Sequence, residues 1–432
     1  MKFVTLLIVF ISSSCLAKAQ PPLRLPDAVN FALKNSLDIQ LTKNKIQTDS
    51  INNFIGMAGG LPIVAGNISD NEQLSSINQK LNTGTTITRS AALSNQLSIG
   101  VTGSILLYNG GRVIATKKRL AELELLSRQQ LTSQVQNIIA DVMTAYYDVV
   151  RQQSYTRTIY RSIDIAKQKL EIVKVSQKAG LANNADLFQA QIDLNALVQA
   201  EQAQLLVIQQ AKTELLRLIT ADPDSTISIE DTILVERGMV LNDILSGVPK
   251  NADIVAADEQ IKINALIVKE TNALRYPSIR ATSGYNFTRN QAAAGQVLLN
   301  QNFGPSVGVG ITIPIYNGSV YRRQKKTAEI NVQNAELQKK ILLRNYTAEV
   351  VKMYQSYTSA LQQLDTERVT YRIAAQLVDL SLKRFQFRQA TIVEVKNAQQ
   401  SFEQSGYRLV NLSYAAKAAE IAMKRLANRL TL

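Results

Sequence analysis

A long internal repeat dominates this chain. Two stretches of roughly a hundred residues align without a gap at a constant offset of about 208 residues. Tyr108-Asn109-Gly110 aligns with Tyr316-Asn317-Gly318, and Arg217-Leu218 aligns with Arg425-Leu426. Because a repeat of this length duplicates a whole structural unit rather than a single reactive site, we expect the same fold to occur twice.

The N-terminus is typical of a secretory signal. Lys2 precedes an apolar run over residues 3–11, and Ala17 and Ala19 supply small residues before a cleavage site. We therefore expect residues 1–19 to be removed as a signal peptide. The apolar run is far shorter than the roughly 20 residues that span a bilayer, so a membrane anchor is disfavoured.

The reactive side chains are few. Cys15 is the only cysteine, and the chain contains no histidine. Lipidation of Cys15 stays open as an alternative, although Ser12 stands where a lipoprotein signal would carry a bulky aliphatic residue. The missing histidine removes the commonest metal ligand and general base, and no Asp/Glu pair lies in a Gly-rich context. We therefore expect no catalytic residue, no metal and no cofactor, although catalysis by paired carboxylates stays possible in principle.

The chain is basic, with 48 Lys and Arg against 34 Asp and Glu and a formal net charge of +14. These cations are spread along helical segments among Gln, Glu and Asn, which is typical of solvated helix faces. An exported protein rarely meets nucleic acid, so we expect no nucleic-acid partner.

Helical and two-residue periods alternate along the chain. We predict a signal peptide at 1–19, a first repeat at 20–220, an equatorial linker at 221–241 and a second repeat at 242–432. The first repeat is predicted to contain a helix from Pro26 to about Met57, a β-hairpin at 61–108, a long helix at 112–178 and a helix at 184–219. The second is predicted to contain a helix at 242–276, a β-hairpin at 277–316, a long helix at 320–388 and a helix at 392–430.

Each predicted hairpin has one apolar face. Leu97, Ile99 and Val101 alternate with small or polar residues, as do the apolar residues from Val307 to Ile315. The partner strand of the first hairpin is predicted from Leu61 to about Ser69.

The long helices follow a heptad pattern. Leu131, Val135, Ile138 and Val142 step by four and three alternately, which predicts coiled-coil packing. At 1.5 Å per residue, each long helix would be about 100 Å long and each shorter helix about 50 Å. Two shorter helices stacked end to end would match one long helix, so each repeat is expected to form a rod with a hairpin at one end.

Strands with one apolar face suit a closed barrel in lipid, but four strands cannot close one. Single-chain barrels need about eight strands, so several chains would have to share a barrel. An exported homo-oligomer of this kind would be a tube. A soluble hairpin that caps a coiled coil is the alternative.

Several short motifs follow one another in the first repeat, and two of them, Tyr-Asn-Gly and Ala-Gln, recur in order in the second. They include Tyr-Asn-Gly-Gly-Arg at 108–112 before the long helix, Ala179-Gly180-Leu181, Asp186-Leu187 and Ala190-Gln191. From Leu23 to Leu430 the chain resembles the TolC family of outer-membrane efflux proteins. The resemblance implies a mainly α-helical protein with long coiled-coil helices that form a periplasmic α-helical barrel. It also implies a homotrimer in which four strands per chain build a 12-stranded outer-membrane β-barrel.

The same resemblance implies function and partners. It predicts a passive exit duct of a tripartite efflux or type I secretion system, in the outer membrane and extending into the periplasm. The expected partners are a periplasmic adaptor, an inner-membrane pump and outer-membrane lipid. A periplasmic coiled-coil adaptor, or an envelope protein without a pore, is the alternative. The transported substrate and the pump class stay open.

The resemblance also places the periplasmic tip, where an adaptor would dock. Its residues would be Ala179, Gly180, Leu181 and Asp186 in the first repeat and Arg388, Gln389 and Ala390 in the second. Gly180 also suits a simple helix stop. Phe385 and Ala390 stand where some members carry a tyrosine and an arginine, so we expect a closed state held mainly by packing.

Two further sets of residues follow from the resemblance. Glu394 and Asn397 would ring the pore constriction, where only Glu394 is acidic; an ordinary acid in a helix first turn explains Glu394 equally well. The strand-to-helix junctions are Tyr108, Asn109 and Gly110, and Tyr316, Asn317 and Gly318. Glycine permits the sharp bend there, and the tyrosines would lie at the membrane interface.

Overall fold

The computed structural model describes residues 22–430. The expected signal peptide at 1–19, with Cys15, lies outside the described residues.

The elements follow the chain as helices interrupted by two pairs of strands. They are α1 (Leu25–Asn35), α2 (Leu37–Asn52), β1 (Ile63–Lys80), β2 (Thr86–Asn109), α3 (Arg112–Lys178), α4 (Asn184–Leu218), α5 (Leu241–Leu245), a 3₁₀ turn (Val248–Lys250), α6 (Ala252–Ala273), β3 (Ser278–Ala292), β4 (Leu299–Thr312), α7 (Val320–Gln386) and α8 (Ile392–Leu426).

The chain divides into two compact units. Within the described residues, the first unit comprises 22–37, 135–246 and 349–430, and the second comprises 38–134 and 247–348. The first unit contains the turns α3–α4 and α7–α8 and the segment 221–240. The second contains the four strands and the helical segments beside them.

The four strands form one antiparallel sheet in the order β1-β2-β3-β4. The first strand runs to Lys80 rather than to about Ser69 as expected. Its outer half is polar and shows no clean alternation, but it pairs with β2 from Asp70 opposite Leu97 to Lys80 opposite Thr86. Backbone pairing, rather than apolar alternation, therefore sets the length of this strand.

The expected helix from Pro26 to Met57 is divided into α1 and α2. Ser36 takes an extended ψ of 124° between them and donates its N–H to the Ala32 carbonyl at 2.8 Å. The helix expected at 242–276 is also divided, because the turn at Val248–Lys250 contains Pro249, which cannot continue a helix. Asn251 then caps α6 by accepting the Asp253 N–H at 2.9 Å.

α2 ends at Asn52 rather than at about Met57, and α6 ends at Ala273 rather than at 276. Three further helices also end before their expected last residues. α4 ends at Leu218, α7 at Gln386 and α8 at Leu426, instead of 219, 388 and 430. In each case a left-handed residue follows the helix: Thr220 (φ 55°), Arg388 (φ 60°) or Asn428 (φ 54°). The strand expected to reach Tyr316 ends at Thr312, because Pro314 has no N–H for the ladder.

The core of the first unit lies between α3, α4, α7 and α8. One buried cluster contains Ile165, Ala374, Val378, Ala398 and Phe402. The segment 221–240 is fixed to the long helices by two buried tyrosines. The Tyr146 hydroxyl lies 3.1 Å from the Leu23 carbonyl and 3.2 Å from Asp231, and the Tyr357 hydroxyl donates to the Glu236 carbonyl.

Among the described residues, no helix combines the length and the apolar character needed to cross a lipid bilayer.

Candidate functional site

The sheet carries one continuous apolar face. One row across it consists of Ile68, Ile99, Phe287 and Phe303. In the single chain Ile68 is 77% exposed and Phe303 is 69% exposed. Nothing else in the described chain covers this face, which also includes Val101, Tyr285, Val307, Val309 and Ile311.

The apolar face ends at a polar row on the side of the sheet away from the strand-to-helix junctions; this end is called its upper limit. One row beyond Phe287, the register places Asp70, Leu97, Arg289 and Gln301. Asp70 there accepts a hydrogen bond from Asn95 at 2.6 Å, and Arg289 donates to Gln291 at 2.9 Å. Apart from Leu97, charged and amide side chains thus replace apolar ones within a single row.

The opposite face of the sheet is polar and almost uncharged. Between the rows of Ser94 and Ser104 it presents mainly Ser, Thr, Asn, Gln and Gly, with Ile63, Ala65 and Ala292 among them and no charged residue of the described strands. Arg280 lies one row further on, opposite Leu106. The Arg280 guanidinium lies 3.4 Å from the Ser104 hydroxyl. The two faces therefore differ in polarity.

The two predicted strand-to-helix junctions use the left-handed region. Gly110 (φ 69°) and Gly318 (φ 65°) occupy equivalent positions. A Cβ on Gly110 would lie 2.8 Å from the Ala273 carbonyl oxygen, whereas one on Gly318 would meet nothing within 4 Å. Asn109 accepts the Val113 N–H at 3.3 Å and so starts α3. Tyr108 is 46% exposed and Tyr316 is 83% exposed.

The turn between α3 and α4, here the first tip turn (residues 179–183), closes on a glycine. Gly180 has φ 74°, and Leu181 donates its N–H to the Ser176 carbonyl at 2.8 Å. This left-handed ending satisfies a carbonyl of the last helical turn. Asn183 then accepts the Asp186 N–H at 2.8 Å and caps α4.

The turn between α7 and α8, the second tip turn (residues 387–391), has the same backbone form with a different residue. Arg388 adopts φ 60° where the first turn has glycine, and Gln389 donates its N–H to the Arg384 carbonyl at 2.8 Å. The Arg384 guanidinium also donates to the Gln389 carbonyl at 2.8 Å. Arg388 therefore preserves the turn, with the Cβ strain that a left-handed non-glycine residue carries.

The two tip turns enclose a cavity of about 340 Å³. Several predicted tip residues line it together: Leu181, Asp186, Arg388 and Ala390. Phe385 lines it too, and packs on a cluster that includes Leu170, Val173 and Ala190. Polar side chains, including Ser176 and Thr391, line this cavity together with the apolar ones. Ala179, Gly180 and Gln389 are not among the lining residues.

Glu394 has a local role in α8. Its N–H donates to the Thr391 hydroxyl at 3.2 Å, and its carboxylate accepts from that hydroxyl at 3.2 Å and from the Thr391 N–H at 3.5 Å. This reciprocal arrangement is a capping box. Asn397 lies one turn further on, and both side chains are exposed in the single chain.

A buried ionic junction near the tip was missed from the sequence. Lys169 on α3 has a fully buried side chain and lies 2.8 Å from Asp193 on α4. Lys396 on α8 lies 3.1 Å from the other carboxylate oxygen of Asp193, and Gln189 donates to that same oxygen at 2.8 Å. The one available signal was that Lys169 interrupts an otherwise apolar stripe on α3.

The electrostatics of this junction favour the ionised carboxylate. Burial acts to raise the pKa of Asp193, but hydrogen bonds from Lys169, Gln189 and Lys396 outweigh it and lower the pKa below its ordinary value. Asp193 therefore stays charged and holds three helices together.

Comparisons with known proteins agree with this architecture. A sequence profile of the family described as outer membrane efflux protein matches residues 29–222 and 250–429. The outer membrane protein TolC of Escherichia coli (strain K12) is 22% identical over 335 residues, which span 73% of this chain and 66% of TolC. The outer membrane efflux protein BepC of Brucella suis biovar 1 (strain 1330) is 20% identical over 344 residues, which span 77% of this chain and 72% of BepC.

A solved structure shows the same fold. The crystal structure of the outer membrane protein VceC from Vibrio cholerae superposes with a TM-score of 0.75 at 18% identity, and the match covers 93% of this chain and 95% of VceC. The profile covers most of both repeats, including the sheet and the tip turns. This chain therefore belongs to the outer membrane efflux protein family.

Proposed function

We propose that this protein is the passive exit duct of a tripartite efflux system, formed by three copies that share one outer-membrane β-barrel. The observation that carries the proposal is the four-stranded sheet with an exposed apolar face and two unpaired edges. A duct of a type I secretion system would use the same architecture and is the second candidate. The proposal gives the chain no catalytic role.

The sheet edges argue for closure by other copies. β1 and β4 each have a neighbour on one side only. In lipid an open edge leaves backbone N–H and C=O groups without partners, which is why only closed sheets span a bilayer. Pairing β4 of one copy with β1 of the next removes both edges, and three copies contribute twelve strands.

The height of the apolar face suits a bilayer. From Phe303 to Ile311 the face extends over nine residues of β4, which matches the roughly 9–11 residues of a tilted strand that crosses a bilayer. Barrels of the outer membrane carry an apolar band of about 25 Å, flanked by aromatic residues at both interfaces. Tyr285 and Phe303 stand near the upper limit of this face, and Tyr108 and Tyr316 stand near the lower limit.

The polar face would line a water-filled lumen. Its small and amide side chains offer hydrogen bonds without strong charge, apart from Arg280. Such a surface permits passage of many solutes and supports a generic conduit, with substrate choice made by the pump.

The tip turns are the proposed docking and closing points. Gly180, Leu181 and Arg388 lie at or beside the cavity of about 340 Å³, where an adaptor helix end could bind. Three copies of Glu394 would place a carboxylate ring at the constriction. In this proposal the closed tip is held by packing around Phe385, together with the junction at Asp193.

Membrane fractionation and native mass spectrometry of the full-length protein test this proposal. We expect the protein in the outer-membrane fraction, with the mass of a trimer in the native spectrum. Recovery as a periplasmic monomer would contradict it. Loss of efflux in a deletion strain, restored by the wild-type chain, would support the tripartite role; unchanged drug, metal-ion and peptide accumulation in that strain would argue against it.

A further inference from the structure

Both long helices begin with cationic residues, although helix N-termini usually carry acidic ones. The first turns of α3 and α7 contain no acidic residue. Instead each helix carries four cations in its first two to three turns: Arg112, Lys117, Lys118 and Arg119 in α3, and Arg322, Arg323, Lys325 and Lys326 in α7. Because the helix macrodipole is positive at the N-terminus, cations there are unfavourable unless an anion offsets them.

Some of these cations have partners inside the second unit. Lys117 donates to Asn53, Arg119 pairs with Glu270 at 2.6 Å, and Lys325 lies 3.5 Å from Glu329. Within residues 22–430 the structure records no ion pair for Arg322, which is exposed. Unbalanced positive charge therefore remains at the start of α7.

Arg322 faces a cavity of about 230 Å³ at the junction of β4 with α7. A second exposed arginine, Arg275, reaches the same cavity from the end of α6, and its side chain also has no ion pair among the described residues. Tyr316 and Tyr321 line the walls, with Asn317 and Ser319 beside them. Two guanidinium groups, phenol rings and hydroxyl or amide groups therefore converge on one small space.

The cavity begins where the apolar face ends. Ile311, Ile313 and Ile315 lead to it and are 61%, 62% and 95% exposed. Ile315 itself lines the cavity. A ligand with a charged head and an apolar tail would meet cations and aliphatic surface in immediate succession.

We propose that Arg275 and Arg322 bind the anionic headgroup of a phospholipid in the periplasmic leaflet of the outer membrane. Guanidinium groups match phosphate geometry through paired N–H donors, and a juxtamembrane cation is favoured beside anionic lipid. The acyl chains would lie along the sheet from Ile315 toward Ile311. This inference rests on the proposed function, because it requires the apolar face to be in lipid.

The exposed aliphatic side chain of Ile315 in the cavity favours a phospholipid over a free phosphate ion as the ligand. A phosphate ion would use only the two arginines, and the exposure of Ile315 would remain. A phospholipid offsets both the charge and the apolar exposure, and it fixes the depth of the sheet in the membrane.

Native mass spectrometry of the full-length, delipidated trimer in detergent tests the inference. The probes are palmitoyl-oleoyl phosphatidylglycerol, phosphatidylcholine with the same chains, and inorganic phosphate. We expect phosphatidylglycerol to bind in preference to phosphatidylcholine. The double variant Arg275→Gln/Arg322→Gln should bind it about tenfold more weakly, since two charge-assisted contacts are lost.

The matched control is Lys340→Gln/Arg344→Gln, which removes two exposed cations from α7, the helix that carries Arg322. Because these cations lie about 27 Å or more along the helix from Arg322, their loss should leave binding within about twofold. Arg275→Lys/Arg322→Lys keeps the charge and should retain preference for the anionic lipid, which separates charge recognition from a folding defect. Equal binding by wild type and the glutamine variant would overturn the inference, as would full displacement of lipid by inorganic phosphate. A chain that never forms a membrane trimer would instead contradict the proposed function.

Discussion

Lys169 lies 2.8 Å from Asp193, and its side chain is fully buried where α3, α4 and α8 meet. A buried ammonium is tolerated only with a close anion and further hydrogen bonds. Asp193 supplies the anion, and Lys396 and Gln189 bind its second oxygen. This junction joins the helices of both tip turns in the first unit.

Removing the charge of Asp193 should therefore destabilise the tip. Asp193→Asn leaves Lys169 buried without a counter-ion, and we expect a loss of about 3 kcal/mol of unfolding free energy. Lys396→Gln removes a partner whose side chain is 41% exposed and should cost no more than about 1 kcal/mol. Thermal or chemical denaturation of both variants measures the difference; equal effects would show that burial of Lys169 is unimportant.

The same junction predicts a pH dependence. The folded state lowers the pKa of Asp193, so its stabilising contribution is fully present above the unfolded pKa of about 3.9 and is lost as the pH falls through the folded pKa. The stability gap between wild type and Asp193→Asn should stay constant from pH 7 to pH 5 and shrink below about pH 4. Denaturation midpoints at each pH test this; a gap that grows on acidification would contradict the assignment.

Arg388 is expected to carry backbone strain. Arg388→Gly removes the Cβ from a residue at φ 60° and should stabilise the second tip turn by about 1 kcal/mol. Gly180→Ala places a Cβ at φ 74° in the first turn and should destabilise it by a similar amount. The two thermal midpoints should move in opposite directions, and a drop for Arg388→Gly would mean that the arginine side chain contributes more than its strain.

The two proposed roles of Glu394, as a helix cap and as a charge in the pore, can be tested separately. Gln serves in a capping box as well as Glu, so Glu394→Gln should keep the thermal midpoint while removing the proposed carboxylate ring. We expect cation preference in planar bilayers to fall, seen as a shift of the reversal potential in a KCl gradient. Thr391→Ala is the matched control: it should lower stability by about 1 kcal/mol and leave the reversal potential unchanged. If Glu394→Gln left the reversal potential unchanged, Glu394 would act only as a helix cap.

Local patterns made much of the fold predictable. Strict alternation from Val307 to Ile315 predicted a strand with an apolar face, because the period of two is fixed by the strand itself. The heptads around Val135 likewise predicted a long helix. The outer half of β1 could not be predicted, because its polar residues gain their structure from pairing with β2.

The candidate site was less predictable for the same reason. A pattern on α3 marks Lys169 as unusual but cannot say that Asp193 and Lys396 lie beside it, since that depends on how three helices pack. The left-handed conformation of Arg388 is also set by the turn rather than by the residue. The sequence placed the tip turns, whereas the contacts within them required the structure.

The central claim is that the apolar face of the sheet meets lipid and the opposite face meets water. Val307 and Ser306 are neighbours on β4 that point to opposite faces, and Val307 is 85% exposed in the single chain. The most direct measurement is the amount of trimer recovered from outer membranes for Val307→Asp and Ser306→Asp. We expect Ser306→Asp near the wild-type level and Val307→Asp strongly reduced, because a charge on a lipid-facing strand costs up to several kcal/mol. Equal recovery of the two variants would contradict the account.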